Sequence, residues 1–189
     1  MKEYELYNRI LSPDLLSSDR NVLIEKKAKH TARIIDDCVD EYAIYRYDMD
    51  EQKERFMPFF NKNHQDGQRK VPEGLLKFCD YILLASKDER LYVILIEMKS
   101  GKPDEAKKQL DASETFMDYV RESAKRVSKE NGCDDFDIDN IYVKKVILKP
   151  APASRPGTNK AKSKCSKISW DDEYINMPSK TLPLNQLCK

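Results

Sequence analysis

Two apolar runs in the middle of the chain dominate its pattern. Lys77–Ala85 (KFCDYILLA) and Leu91–Lys99 (LYVILIEMK) are apolar at successive positions, which predicts strands buried on both faces. The polar stretch from Ser86 to Arg90 lies between them, so the pair reads as a β-hairpin of two central strands. Ser100-Gly101-Lys102-Pro103 then breaks the strand. Pro103 suits the first turn of a helix, and Asp104 and Glu105 complement its dipole. Ala106, Leu110, Ser113, Met117, Val120, Ala124 and Val127 follow at alternating spacings of four and three, a single buried stripe on that helix. Asn131-Gly132 is its expected stop. Ile141–Leu148 reads as a further strand.

The flanks are less regular. Ser12-Pro13-Asp14 signals a turn, and Ser17, Ser18 and Asp19 offer an N-cap for a short helix through Val22–Lys29. Thr31–Tyr47 is rich in Ile, Val and Tyr and reads as strand or extended chain. Asp50–Asn61 predicts a helix whose Phe56, Phe59 and Phe60 pack in the core, followed by a polar loop to Pro72. The tail, Ile168–Lys189, is expected to return as a short strand or an irregular cover. The pattern is that of one α/β domain: an N-terminal extension (1–49), a core (50–150), and a basic loop with a C-terminal cover (151–189).

Charge narrows the picture. The chain has 189 residues, 35% of them charged, yet a formal net charge of only +1, so any nucleic-acid surface must be local. One segment qualifies: Ile141 to Trp170 holds eight basic residues and no acidic one. Within it Lys149, Arg155, Lys160, Lys162 and Lys164 are candidates for sequence-blind phosphate contacts. Tyr142 and Trp170 flank the segment and are read as core residues. The five cysteines form no CxxC pair, which excludes the usual structural zinc site and points to free thiols in a reducing cytoplasm. No apolar run is long enough to cross a membrane, and the N-terminus has no signal-peptide pattern. His30 and His64 are isolated and read as surface residues.

The hairpin carries the chemistry. With its turn centred between Asp88 and Glu89, residues whose numbers sum to 177 face one another, so Asp80 lies opposite Glu97. Their Cβ atoms are then roughly 5 Å apart on one face of the sheet. Lys99, two residues beyond Glu97, points the same way. Two anions side by side among Ile, Leu, Val and Met are costly to bury, and a divalent cation with oxygen ligands reverses that cost. Lys99 adds a compact ammonium beside it. Such a site can cleave a phosphodiester.

Asp80, followed after a gap by Glu97-Met98-Lys99, resembles the D…(D/E)xK signature of the PD-(D/E)XK nucleases. That superfamily includes restriction endonucleases, archaeal Holliday-junction resolvases and RecB-type nuclease domains. The resemblance spans roughly residues 50–150 and implies a restriction endonuclease-like αβββαβ core, a mixed central sheet flanked by helices. By that resemblance Asp80, Glu97 and the Met98 carbonyl ligate Mg²⁺, with Mn²⁺ able to substitute, and Lys99 orients or activates water. Gln109 matches the glutamine often found in the helix of RecB-like members. Cys79 stands where the family name has proline. The further acidic ligand that members often draw from their first helix is open here among Glu25, Glu51, Glu54 and Glu73. The implied activity is DNA endonucleolytic cleavage in defence, restriction or repair, with RNA cleavage or a non-catalytic binding module of the same fold as alternatives. Cutting both strands of a duplex with one site per chain calls for a homodimer.

Overall fold

The computed structural model describes residues 2–25, 30–36, 38–47, 78–99, 103–131, 137, 140–149, 169–170 and 173–189. The helix expected over 50–61, the loop after it, His64, and the competing acids Glu51, Glu54 and Glu73 lie outside the described residues, as do Arg155, Lys160, Lys162 and Lys164.

Helix α1 (Lys2–Ile10) opens the chain, and a short 3₁₀ turn follows at Pro13–Leu15. The strands are β1 (Val22–Glu25), β2 (His30–Ile35), β3 (Glu41–Arg46), β4 (Tyr81–Lys87), β5 (Arg90–Met98), β6 (Ile141–Leu148), β7 (Ser169–Trp170), β8 (Tyr174–Met177) and β9 (Thr181–Pro183). Helix α2 (Pro103–Val127) lies between β5 and β6, and α3 (Leu184–Leu187) follows β9. Six strands form the main sheet in the order β3-β4-β5-β6-β8-β7, and β1-β2-β9 form a smaller one. β3, β4 and β5 are an antiparallel meander, whereas β6 runs parallel to β5 and β8 parallel to β6. The chain is therefore α/β with mixed sheets.

Strand alternation sorts the core into two layers. Ile82, Leu84, Val93, Leu95 and Ile147 face α1 and α2. Tyr81, Leu83, Ala85, Ile94, Ile96 and Leu148 face the other way, into a cluster with Leu23, Ile34, Leu182 and Leu187 of the small sheet and α3. β4 and β5 are thus covered on both sides, as their unbroken apolar runs require. The stripe on α2 is buried as expected, from Ala106 through Ala124, with Val127 packed at its end. That helix stops at Val127, a 3₁₀ turn carries on to Asn131, and the Asn131 side-chain amide donates to the Val127 carbonyl.

The helix expected over Val22–Lys29 is not there. Val22–Glu25 is a strand paired with β2, and Ser17 and Asp19 close a turn instead of capping a helix: Ser17 Oγ donates to the Asp19 carbonyl, and Asn21 N–H donates to Asp19 Oδ1. Sheet pairing outweighs helix propensity in so short a segment. A side chain from the main sheet secures it. The Tyr81 hydroxyl accepts from Ile24 N–H and donates to the Ile24 carbonyl, at 2.8 and 2.9 Å, satisfying the outer edge of β1. The tail does more than cover the core, since β8 and β7 extend the main sheet and β9 completes the small one. From the first 49 residues, β3 supplies the other edge of the main sheet.

The β4–β5 turn has two residues, Asp88 and Glu89, with φ of 49° and 60°. Left-handed residues at both central positions match the twist of a hairpin, but a glutamate pays a steric penalty there. Glu89→Gly is expected to raise stability by about 1 kcal/mol, read as a higher urea midpoint at unchanged slope; Glu89→Val should lower it.

Buried protons set a second expectation. Burial pushes the Cys188 thiol from 9.0 up to about 12 and the Tyr45 phenol from 10.0 up to about 12, and it raises Tyr47 as well. The unfolded chain releases these protons first, so their stabilising contribution is complete below pH 9 and is lost as pH climbs toward 12. Urea midpoints measured between about pH 8 and pH 11 should fall steadily over the upper half of that range.

Candidate metal and phosphate site

The β4–β5 register runs Tyr81↔Ile96, Ile82↔Leu95 and so on to Lys87↔Arg90. One step beyond Tyr81↔Ile96, Asp80 stands across from Glu97. Both belong to the alternation that faces α2, as does Lys99. Asp80 is 7% exposed and Glu97 2%. Asp80 sits in a bend just before β4, where its carbonyl accepts from Tyr47 N–H at 3.1 Å and so continues the β3 pairing. Its Oδ2 accepts from Met98 N–H at 2.7 Å, which lays the carboxylate against β5 beside Glu97. Lys99 N–H turns the other way, to the Leu148 carbonyl. The N–H and carbonyl of one strand residue point to the same side, so the Met98 carbonyl also faces Asp80.

Helix α2 closes the group. Lys99 Nζ donates to Gln109 Oε1 at 3.0 Å and lies 3.5 Å from both Glu97 Oε1 and Glu105 Oε2. Gln109 Nε2 in turn donates to the Phe78 carbonyl at 3.1 Å, which ties the amide to the approach to β4 and fixes which end faces the lysine. Asp80, Glu97, Lys99 and Gln109, separated by up to 29 positions in the chain, are thus brought together. Ser113 and Glu105 join them without having been singled out for it. Ser113 belongs to the buried stripe, yet its Oγ accepts from Cys79 N–H at 2.8 Å and donates to the Gln109 carbonyl at 2.9 Å. A serine among apolar stripe positions was the available signal. Cys79 is fully buried and burial pushes its thiol up to about 12, so at neutral pH it is an apolar wall and not a nucleophile.

The groups that could hold a metal here are the two carboxylates, with the Met98 carbonyl beside them. These are hard oxygen ligands of the kind Mg²⁺ or Mn²⁺ accepts, with water completing the shell. Among the described residues no cluster of three or more His, Cys, Asp or Glu is arranged to hold a metal. Glu25 lies on β1, in the small sheet on the opposite face from α2.

The basic segment divides. Lys149 is half-buried at the end of β6, at the same end of the sheet as Lys99, and its N–H donates to the Met177 carbonyl. Lys145 is not a surface cation. It points from β6 toward α2, with Nζ 3.1 Å from Asp111 Oδ1 and 2.8 Å from Glu114 Oε2. Tyr174 donates to the same Asp111 oxygen at 2.6 Å, and its ring lies 4.6 Å below the Lys145 ammonium. Burial alone would lower the Lys145 pKa; the bonds from Glu114 and Asp111 outweigh it and raise the pKa. Tyr142 packs against the core with its ring stacked on Tyr92. No helix among the described residues is long and apolar enough to cross a membrane.

Ser113→Ala leaves the buried Cys79 N–H without its acceptor, next to Asp80. It should cost about 2 kcal/mol in urea unfolding, several times the effect of Thr115→Ala, whose hydroxyl bonds only its own exposed helix at the Asp111 carbonyl.

Compared with family models, curated proteins and solved structures, the chain matches none.

Proposed function

We propose that the chain is a divalent-metal-dependent nuclease of the PD-(D/E)XK kind, acting on DNA. The observation that carries this is the pair of buried carboxylates, Asp80 and Glu97, on neighbouring central strands with the Lys99 ammonium beside them. A fold has no structural need for two adjacent buried anions. Part of the element order adds support: β3, β4 and β5 form an antiparallel meander with the acids at the β4 and β5 ends, α2 follows β5, and β6 runs parallel to β5, whereas β1 and β2 stand between α1 and this series.

In this reading Asp80, Glu97 and the Met98 carbonyl hold Mg²⁺, for which Mn²⁺ substitutes. When bound, that cation supplies Lewis-acid polarisation of a phosphoryl oxygen and activates the attacking water. Lys99 offers its N–H donors to the water or to the charge that builds on the phosphoryl oxygens. Gln109, held by the Phe78 carbonyl, keeps the lysine aimed at that point. Lys149 extends the positive charge along the same end of the sheet, and the proposal assigns phosphate contacts to Arg155, Lys160, Lys162 and Lys164. Breaking both strands of a duplex takes two copies of the chain.

The test uses duplex DNA, single-stranded DNA and RNA with Mg²⁺ or Mn²⁺. Wild type is expected to cut DNA, and Asp80→Ala, Glu97→Ala and Lys99→Ala to lose at least about 100-fold in rate. Thermal unfolding separates metal binding from catalysis. Mn²⁺ at about 100 times its Kd should stabilise wild type by about 2.7 kcal/mol and leave Glu97→Ala unmoved. Cleavage of RNA alone would reassign the polymer. A stable fold that neither cuts nor responds to metal would make the chain a non-catalytic member of the same architecture.

A further inference from the structure

Lys99 has three N–H donors and three acceptors around it: Gln109 Oε1, Glu97 Oε1 and Glu105 Oε2. The contact to Gln109 is a hydrogen bond at 3.0 Å and the two carboxylates are ion pairs at 3.5 Å, so a phosphate oxygen that reaches the ammonium competes with a carboxylate already beside it. The three are not equally held. Gln109 is tied by its other end to the Phe78 carbonyl, and moving it strands that bond. The Glu97 side chain is 3% exposed and is walled in by the sheet. The Glu105 side chain is 63% exposed, on the first turn of α2, with water beside it to take up the carboxylate. Once released it stays at a helix N-terminus, where a negative charge is favoured.

We infer that Glu105 occupies, on Lys99, the place of a substrate phosphate oxygen, and that a nucleic-acid phosphate binds by displacing it. This rests on the nuclease reading and adds to it a residue that sets substrate affinity. A carboxylate oxygen and a phosphate oxygen are alike in charge and in accepting from an ammonium. The exchange therefore swaps one ion pair for another at little cost, because an exposed pair is weak. Glu105 then acts as an internal competitor. It keeps Lys99 oriented in the free protein and selects for ligands anionic enough to evict it.

The experiment measures binding of a fluorescent oligonucleotide to the full chain in chelator, steady-state cleavage with Mg²⁺, and Mn²⁺ affinity by calorimetry. Three proteins are compared: wild type, Glu105→Gln, and Asp104→Asn. Asp104 is an exposed carboxylate of the same helical turn, whereas the ion pairs of Lys99 are to Glu97 and Glu105, so it controls for loss of a nearby charge. Glu105→Gln is expected to bind about twofold to fivefold tighter, with KM lower by the same factor, kcat within about twofold, and Mn²⁺ affinity unchanged. Asp104→Asn should shift binding by much less. Equal effects of the two variants, unchanged or weaker binding in Glu105→Gln, or loss of its Mn²⁺ affinity would each overturn the inference, the last by making Glu105 a metal ligand. Failure of wild type to bind or cut any oligonucleotide removes the nuclease reading and this inference with it. Cleavage by wild type with an unaltered KM in Glu105→Gln removes only the inference.

Discussion

The pairing register of β4 and β5 is the constraint on which the site depends. A slip of one residue would send Asp80 to the small-sheet face and leave Glu97 facing α2 alone. Such a slip is opposed all along the hairpin, because both faces are covered and each misplaced side chain would enter the wrong cluster. Asp80 and Glu97 sit at the open end, farthest from the Asp88-Glu89 turn, where a hairpin frays first. There the backbone is tied from both sides: Tyr47 N–H reaches the Asp80 carbonyl, Met98 N–H reaches the Asp80 carboxylate, and Lys99 N–H reaches the Leu148 carbonyl on β6. Four neighbouring strands therefore hold the pair of acids where two alone would not.

Helix α2 meets this end of the sheet with polar groups inside an otherwise apolar stripe. Ser113 satisfies the Cys79 N–H, and Gln109 joins Lys99 to the Phe78 carbonyl. Each bond links the helix to the two residues that lead into Asp80. The helix thereby determines how the chain enters β4, and through that where the Asp80 carboxylate lies. Buried polar groups that are bonded in this way stiffen their surroundings, whereas partly bonded ones destabilise. A well-packed apolar alternative would fold at least as well. Departures from local rules of this kind cluster where a protein binds or reacts.

The central hairpin, its register, the α2 stripe and β6 were legible because each has a long, strict period. The hairpin's sum of 177 recurs in the paired residues Tyr81 and Ile96. From that register followed the shared face of Asp80, Glu97 and Lys99. Segments held by distant partners were not legible. Val22–Glu25 is a strand because β2 and the Tyr81 hydroxyl engage it, and nothing within the segment announces either. Helix α1 is not legible because its apolar side, Tyr4, Leu6 and Tyr7, is short and set among charges. Lys145 looked like one more member of a basic run, although its strand parity puts it on the α2 face, opposite Leu95.

Lys145 and Lys99 show how one helix and one sheet face can put the same side chain to different ends. Each ammonium lies between the sheet and α2 with two carboxylates close by. Around Lys145 both carboxylates come from α2, one turn apart, and Tyr174 covers the charge with its ring while donating to Asp111. Loss of either partner would leave a lysine only 8% exposed with one carboxylate in place of two, so the cluster fastens helix to sheet. Around Lys99 the carboxylates have different origins. Glu97 belongs to the sheet and is aligned with Asp80, while Glu105 reaches in from the solvent side of the helix. A cation drawn to the two buried acids competes for Glu97, and an anion drawn to Lys99 competes for Glu105. On the proposed function, the ion pairs at Lys99 would exchange for those of a metal-bound phosphodiester, whereas the ion pairs at Lys145 hold a buried lysine between helix and sheet.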